Sequence, residues 1–406
     1  MLEQAFQVQT INLYNKYGVL QIEERERMET KMKKLKERKS LMILLGTIIV
    51  VAISLLVVFI ITASSDEPVE VPIVEIEEEP EEIIEEEEEI EEEVEEFVPG
   101  NENLLTGLSG LSDEAIGMRP VAVVISNVWE SLPQYGVGYA DIIIEVPVEG
   151  GLTRLLAIYG DYTQVPVIIP TRSFRIYMPI FALAFDSICV YWGMDNTVAD
   201  QIAAMNLDQF DASFDGNGLF GRDQGRLNAG FGLEHASYFL GPRLPEVIQG
   251  IGMRTELLEE MQYYFFRFPP IGEVIVPEGR RAEEFSIAFG AATSRFTFDS
   301  ENNVYLKEHN GNPHVEASTG EQLAFTNVFI LEAAVTLRAN GVHVDIAWGG
   351  GYGYYISNGV VQEITWGREG GTYRGRLYFL DSDGNELRVN RGKTYIGVNH
   401  PGGVTF

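Results

Sequence analysis

The sequence predicts an α+β protein: one transmembrane helix, then an extracytoplasmic mixed α/β subdomain, then a mainly antiparallel β subdomain. Three observations predict it. An uncharged apolar run fills Leu41–Ala63. Strand-like and helix-like segments alternate from Val121 to Phe265. From Phe285 onward, short aromatic-rich runs are separated by turn residues. The 406 residues thus divide into a cytoplasmic arm (1–40), the helix (41–63), an acidic stalk (64–99), the α/β subdomain (100–270) and the β-rich subdomain (271–406).

The apolar run is LMILLGTIIVVAISLLVVFIITA, 23 residues without a charge. A rise of ~1.5 Å per residue makes it about 34 Å of helix, enough to cross a hydrocarbon core of ~30 Å. Lys31, Lys33, Lys34, Lys36, Arg38 and Lys39 stand before it, and no basic residue follows until Arg119. The positive-inside rule places the N-terminus in the cytoplasm and the rest outside. A cleaved signal peptide carries a shorter apolar core and a shorter leader. No cysteine stands directly after the run, so it offers no site for lipid attachment there.

The stalk holds 19 of the 61 acidic residues, between Asp66 and Glu96. That charge density resists folding and predicts a solvated spacer. A thin seam of Ile76, Ile83, Ile90 and Phe97 recurs every seven residues, but glutamates along it repel one another. The net charge is −32, and the chain from Gly100 onward still carries 36 acids against 20 bases. A surface this acidic excludes non-specific nucleic-acid binding. One cysteine, Cys189, sits in an apolar run and reads as a small buried hydrophobe. No Cys/His spacing predicts a metal, and no cofactor motif is present.

Within the α/β part, Val121–Ser126, Ile142–Val148, Arg154–Tyr159, Val165–Ile169 and Ile188–Tyr191 are rich in β-branched residues and predict strands. Arg175–Phe185, Thr197–Met205, Glu234–Phe239 and Glu256–Phe265 predict helices. In the second part, Asp381-Ser382-Asp383-Gly384-Asn385-Glu386 predicts a hairpin turn. Gly349–Gly353 is glycine-rich, but no helix signal follows, so close backbone approach explains it better than a phosphate loop.

The candidate site is a basic set in an acidic domain. Arg172 and Arg175 frame Thr-Arg-Ser-Phe-Arg; Arg222, Asp223 and Arg226 lie in Phe-Gly-Arg-Asp-Gln-Gly-Arg; His235 follows. Arginine forks bind carboxylates and phosphates, and an imidazole beside them can move a proton. Structural ion pairing of Arg172 or Arg222 with Asp223, Glu145 or Glu149 would produce the same pattern. Glu145 and Glu149 also read as two carboxylates on one face of a strand, the spacing a glycosidase needs.

The ordered series NLLTG, RPVAVVISN, Pro133-Gln134-Tyr135-Gly136, ADIIIEVPVEGGLTRLLAIY, PTRSFR, FGRD and EHASY, with the later NVFIL and VHVDIAWGGGYGYYISNGVVQEITWGR, resembles the YerB-like family over about Asn103 to Pro401. That family comprises bacterial envelope lipoproteins with a two-part domain of unknown function. The resemblance places Glu149, Arg154, Arg172, Arg175, Arg222, Asp223, Arg226, His235 and Trp366 at family motif positions. The chain departs in three places. An apolar run replaces the lipobox cysteine, Ile169-Pro170-Thr171 stands for Gly-Pro-Val, and Ala236 follows His235 where the family has Asn.

The expected function is therefore a membrane-anchored envelope protein that binds an anionic or glycan ligand, or a partner protein. The alternative is an envelope hydrolase or transferase using Glu149 or His235.

Overall fold

The computed structural model describes residues 100–406. The arm, the apolar run Leu41–Ala63 and the acidic stalk lie outside the described residues. Among the described residues no helix is long and apolar enough to cross a membrane.

The first half of the chain forms β1 (Val121–Ser126), β2 (Ile142–Pro147), β3 (Thr153–Tyr159), β4 (Val167–Ile168), β5 (Ile188–Tyr191), β6 (Gln209–Asp211), β7 (Phe220–Arg222) and β8 (Ser237–Leu240). The second half adds β9 (Arg280–Arg281), β10 (Glu284–Ala288), β11 (Thr293–Asp299), β12 (Val304–His309), β13 (Asn312–Pro313), β14 (Ala324–Phe325), β15 (Asn327–Glu332), β16 (Val335–Leu337), β17 (Val344–Ile346), β18 (Gly350–Ser357), β19 (Val360–Arg368), β20 (Leu377–Leu380), β21 (Thr394–Asn399) and β22 (Val404–Thr405). Four short helices are interspersed: α1 (Met178–Leu183), α2 (Ala199–Ala204), α3 (Gln224–Asn228) and α4 (Leu244–Ile251). The architecture is sheet-rich α+β.

One eleven-stranded sheet runs β20-β19-β18-β15-β21-β2-β3-β1-β5-β6, with β9 beside β19. It takes strands from both sequence halves. They meet where β2 lies parallel to β21, Ile142 opposite Thr394 through Glu145 opposite Gly397. β1, β2 and β21 are buried at every position, so both faces of the sheet are covered. That is why their sequences read as continuous apolar runs rather than alternating ones.

One face packs Phe174, Tyr177, Met178 and Phe181 around α1 against Leu156, Phe266, Phe329 and Trp366. The other face receives a second sheet, β13-β12-β11-β10-β22, through Phe285, Phe296, Tyr305 and Tyr395. Phe285 stacks on Phe296 at 5.0 Å between ring centroids. In this sheet one side faces water: β12 alternates, with Tyr305, Lys307 and His309 inward.

Several local expectations change. Glu234–Phe239 is not a helix: Ser237–Leu240 is a strand between β4 and β7. Phe239 finds cross-strand partners in Phe220 on one side and Ile168 on the other, and pairing overrides local periodicity. Glu256–Phe265 holds only a short 3-10 turn, Glu259–Met261, because Phe265 and Phe266 are pulled as an irregular segment onto the sheet. The expected helix at Arg175–Phe185 shortens to α1. The turn at Asp381 forms as expected: its Oδ1 accepts from the Asp383 and Asn385 amides, both at 2.9 Å.

Candidate functional site: an arginine-lined face

Side chains at the end of the sheet where β1 and β2 finish and β3 begins form the site. Arg154 stands at the start of β3, directly opposite Ser126 on β1 and Val146 on β2. Arg172 and Arg175 arrive on the following loop, which is tied to β1 when the Arg172 amide donates to the Val124 carbonyl at 2.9 Å. Arg222 ends β7, and its guanidinium lies over the Trp192 ring at 3.8 Å. Its Nη1 donates to the Leu233 carbonyl at 3.0 Å.

Four guanidiniums are thereby coupled. Burial, then the charges of Arg175 and Arg172, push Arg154 down to about 9, against the pull of Glu149. Arg172 is lowered by burial and by Arg175 and Arg222, with Glu234 opposing. Glu149 is occupied: Arg175 donates to both its oxygens, Nε at 2.8 Å and Nη2 at 2.7 Å. Burial pushes the Glu149 carboxyl up, but the Arg175 bonds outweigh it and the group ends below its usual range. Among the described residues, the guanidiniums of Arg154 and Arg172 make no hydrogen bond or ion pair, and Arg154 Nη1 is shielded from solvent.

The anticipated ion pairs do not form. Asp223 caps α3, its Oδ1 accepting from the Arg226 amide at 2.7 Å. Arg226 is a buried staple: Nη1 donates to the Ser131 and His235 carbonyls at 3.0 and 2.9 Å, and Nη2 donates to the Pro133 carbonyl. Asp223 and Arg226 therefore shape the site rather than line it. His235 Nδ1 lies 2.7 Å from Ser131 Oγ, and its Nε2 is 3.8 Å from Glu234. Burial and Arg172 hold the imidazole below its usual range, while Glu234 and Glu130 pull the other way.

The idea of Glu145 and Glu149 as a carboxylate pair on one strand face is corrected. Glu149 lies beyond β2, in the turn Glu149–Gly151. Glu145 is fully buried and sealed. It accepts from Asn127 Nδ2 (2.9 Å), Thr153 Oγ1 (2.7 Å), Ser294 Oγ (2.8 Å) and the Tyr395 hydroxyl (2.7 Å). Lys307 Nζ is 3.3 Å away. Lys307 in turn meets His314 Nδ1 at 3.1 Å, and His314 Nε2 meets Gln134 Oε1 at 2.7 Å. This polar core stitches β2 to the second sheet. Strict alternation along β12 was the signal that could have put Lys307 inside.

Trp192, under the Arg222 guanidinium, and Glu234 complete the arginine face, while Tyr177 is buried beneath it and donates its hydroxyl to the Pro147 carbonyl. Trp366 is buried, its Nε1 donating to the Tyr352 carbonyl at 3.1 Å, so it is a core residue. Cys189 is buried and burial pushes its thiol up to about 12. Concavities of about 360 and 400 Å³ lie elsewhere, one lined by Tyr139, Glu316 and Lys393, the other by Leu108, Ile271 and Arg391. Among the described residues no group of three His, Cys, Asp or Glu side chains is arranged to hold a metal.

Fold and site together define a two-part α+β domain, built on one shared sheet with arginines gathered at one end of its central strands. The model of the "Protein of unknown function (DUF3048) N-terminal domain" matches residues 105–253, and that of the corresponding C-terminal domain matches 285–396. The chain belongs to this family. It is similar to YerB of Bacillus subtilis (strain 168), described as a candidate lipoprotein. The identity is 29% over 310 residues, covering 73% of this chain and 86% of that protein. The crystal structure of the Bacillus subtilis YerB protein has the same fold, with a TM-score of 0.62 and 26% identity over 75% of this chain and 98% of that one.

Proposed function

We propose that this protein is a membrane-anchored receptor of the cell envelope that captures an anionic ligand on the arginine face. The carrying observation is the charge balance there. Among the described residues, Arg154, Arg172, Arg175 and Arg222 are opposed by Glu149 and Glu234 alone, and the Arg154 and Arg172 guanidiniums have no hydrogen bond or ion pair. A guanidinium held partly out of water without an acceptor is costly, and a ligand that supplies the acceptor relieves that cost. The description of YerB as a candidate lipoprotein supports an envelope location. The apolar run Leu41–Ala63 supplies the anchor here, with the domain outside the membrane.

The hydrolase or transferase reading used Glu149 or His235; Glu149 is held on both oxygens by Arg175, and the separate glycosidase pairing fails because Glu145 is sealed. The test is a thermal-shift titration of the full chain in non-ionic detergent with inorganic phosphate, sulfate, glucuronate and glucose. At 100 times the dissociation constant a ligand adds about 2.7 kcal/mol. The reading expects a shift with at least one anion that is lost in Arg172→Ala and Arg222→Ala. No shift with any anion sinks it.

A further inference from the structure

The hydrogen-bond directions around Ser126 narrow the ligand further. Ser131 Oγ donates to Ser126 Oγ at 2.8 Å, which uses the only hydrogen of that hydroxyl. The 2.7 Å contact between Ser131 and His235 Nδ1 must then be donated by the imidazole. This sets the tautomer: His235 carries its proton on Nδ1, with Nε2 turned toward Glu234. At the far end of the relay, Ser126 accepts from Ser131, and its own O–H has no acceptor among the described residues. Ser126 is almost fully buried, so bulk solvent does not reach it.

Its neighbour is Arg154. The two are directly opposed on antiparallel β1 and β3, so their side chains share one face, with Cβ atoms about 5 Å apart. Arg154 Nη1 is likewise a shielded donor without an acceptor. Two unused donors from one cross-strand pair, with no acceptor among the described residues, favour a group that only accepts. A sugar hydroxyl must also donate; an ionised phosphate ester or carboxylate need not. Resting on the anion reading above, we infer that Arg154 and Ser126 form the seat of the ligand's oxyanion, and that His235 is a positioning residue that aims the Ser126 donor through Ser131.

Isothermal titration of the full chain in non-ionic detergent with inorganic phosphate, acetate and glucose tests this. Ser126→Ala and Arg154→Gln should each weaken the phosphate or acetate that binds by about tenfold or more, as expected for losing a hydrogen bond to a charged group. Ser126→Thr keeps the hydroxyl and should bind as the parent does. His235→Ala should weaken binding, and His235→Asn, which restores an N–H toward Ser131, should recover it. A purely structural role for His235 would not distinguish these two variants. If Ser126→Ala and Arg154→Gln bind as tightly as the parent while Arg172→Ala does not, the seat is misplaced although the anion reading stands. If glucose competes with the anion, the ligand class is wrong. If neither anion binds the parent chain, both readings fall.

Discussion

Replacing Lys307 by Met should be among the most damaging single changes in this protein. Lys307 and Glu145 are both fully buried, 3.3 Å apart. Burial raises the Glu145 carboxyl, but Lys307 and the bonds from Thr153 and Tyr395 outweigh it, so the group stays below its usual range. Burial pulls the Lys307 ammonium down, and Glu145 opposes that. Methionine matches the length of lysine but leaves a carboxylate sealed among four donors without its counter-charge. Breaking a buried pair in this way costs about 3–5 kcal/mol. That is a large share of the ~5–15 kcal/mol that holds a typical domain together. Urea unfolding followed by intrinsic fluorescence, compared at equal m-value, measures the loss. The double variant Glu145→Leu with Lys307→Met removes both charges and should recover part of it, although Asn127, Thr153, Ser294 and Tyr395 then lose their acceptor. A loss below about 1 kcal/mol for Lys307→Met would show that the carboxylate is not left stranded, and would refute the reasoning.

Stability should fall as the pH drops from about 6.5 toward acid. His314 is held well below its usual value by burial, then by Lys307, and His309 by burial. Groups with depressed folded values stabilise above their unfolded pKa of ~6.5 and lose that contribution as pH falls through the folded one. Urea midpoints at several pH values measure this, and His314→Gln should flatten the profile. Gly353→Ala should destabilise by about 1–3 kcal/mol, because its Cβ would stand 2.4 Å from the Ile330 carbonyl oxygen in the neighbouring strand. Gly349→Ala, where nothing lies within 4 Å, is the control. Cys189 should resist a thiol reagent in the native state and react only on unfolding, since its thiol is buried and pushed up to about 12.

Much of this molecule is legible locally. The runs Val121–Ser126 and Ile142–Pro147 could only be buried strands, because β-branched residues in an uninterrupted apolar stretch fit a sheet covered on both faces. The turn at Asp381 follows from its own side chain. The acidic balance that argues against nucleic acid, and the inert cysteine, are properties of composition and neighbourhood. Arg172, Arg175, Arg222 and His235 could be picked out as a group because arginines are sparse in an acidic chain. What composition could not say is which of them had partners. Arg226 and Asp223 sit in the same motif as Arg222, yet the fold spends them on three carbonyls and a helix cap, while among the described residues the Arg172 and Arg154 guanidiniums have no hydrogen-bond acceptor. Likewise Glu145 and Glu149, four positions apart, part company because β2 ends at Pro147. Hydrophobic periodicity is written within one segment and survives without the rest of the chain. The partner of a charged group is set by strand register across residues as distant as Glu145 and Lys307, or Ser131 and His235. Only the folded sheets bring those donors and acceptors within 3 Å or so of each other, and only there does a free arginine differ from a satisfied one.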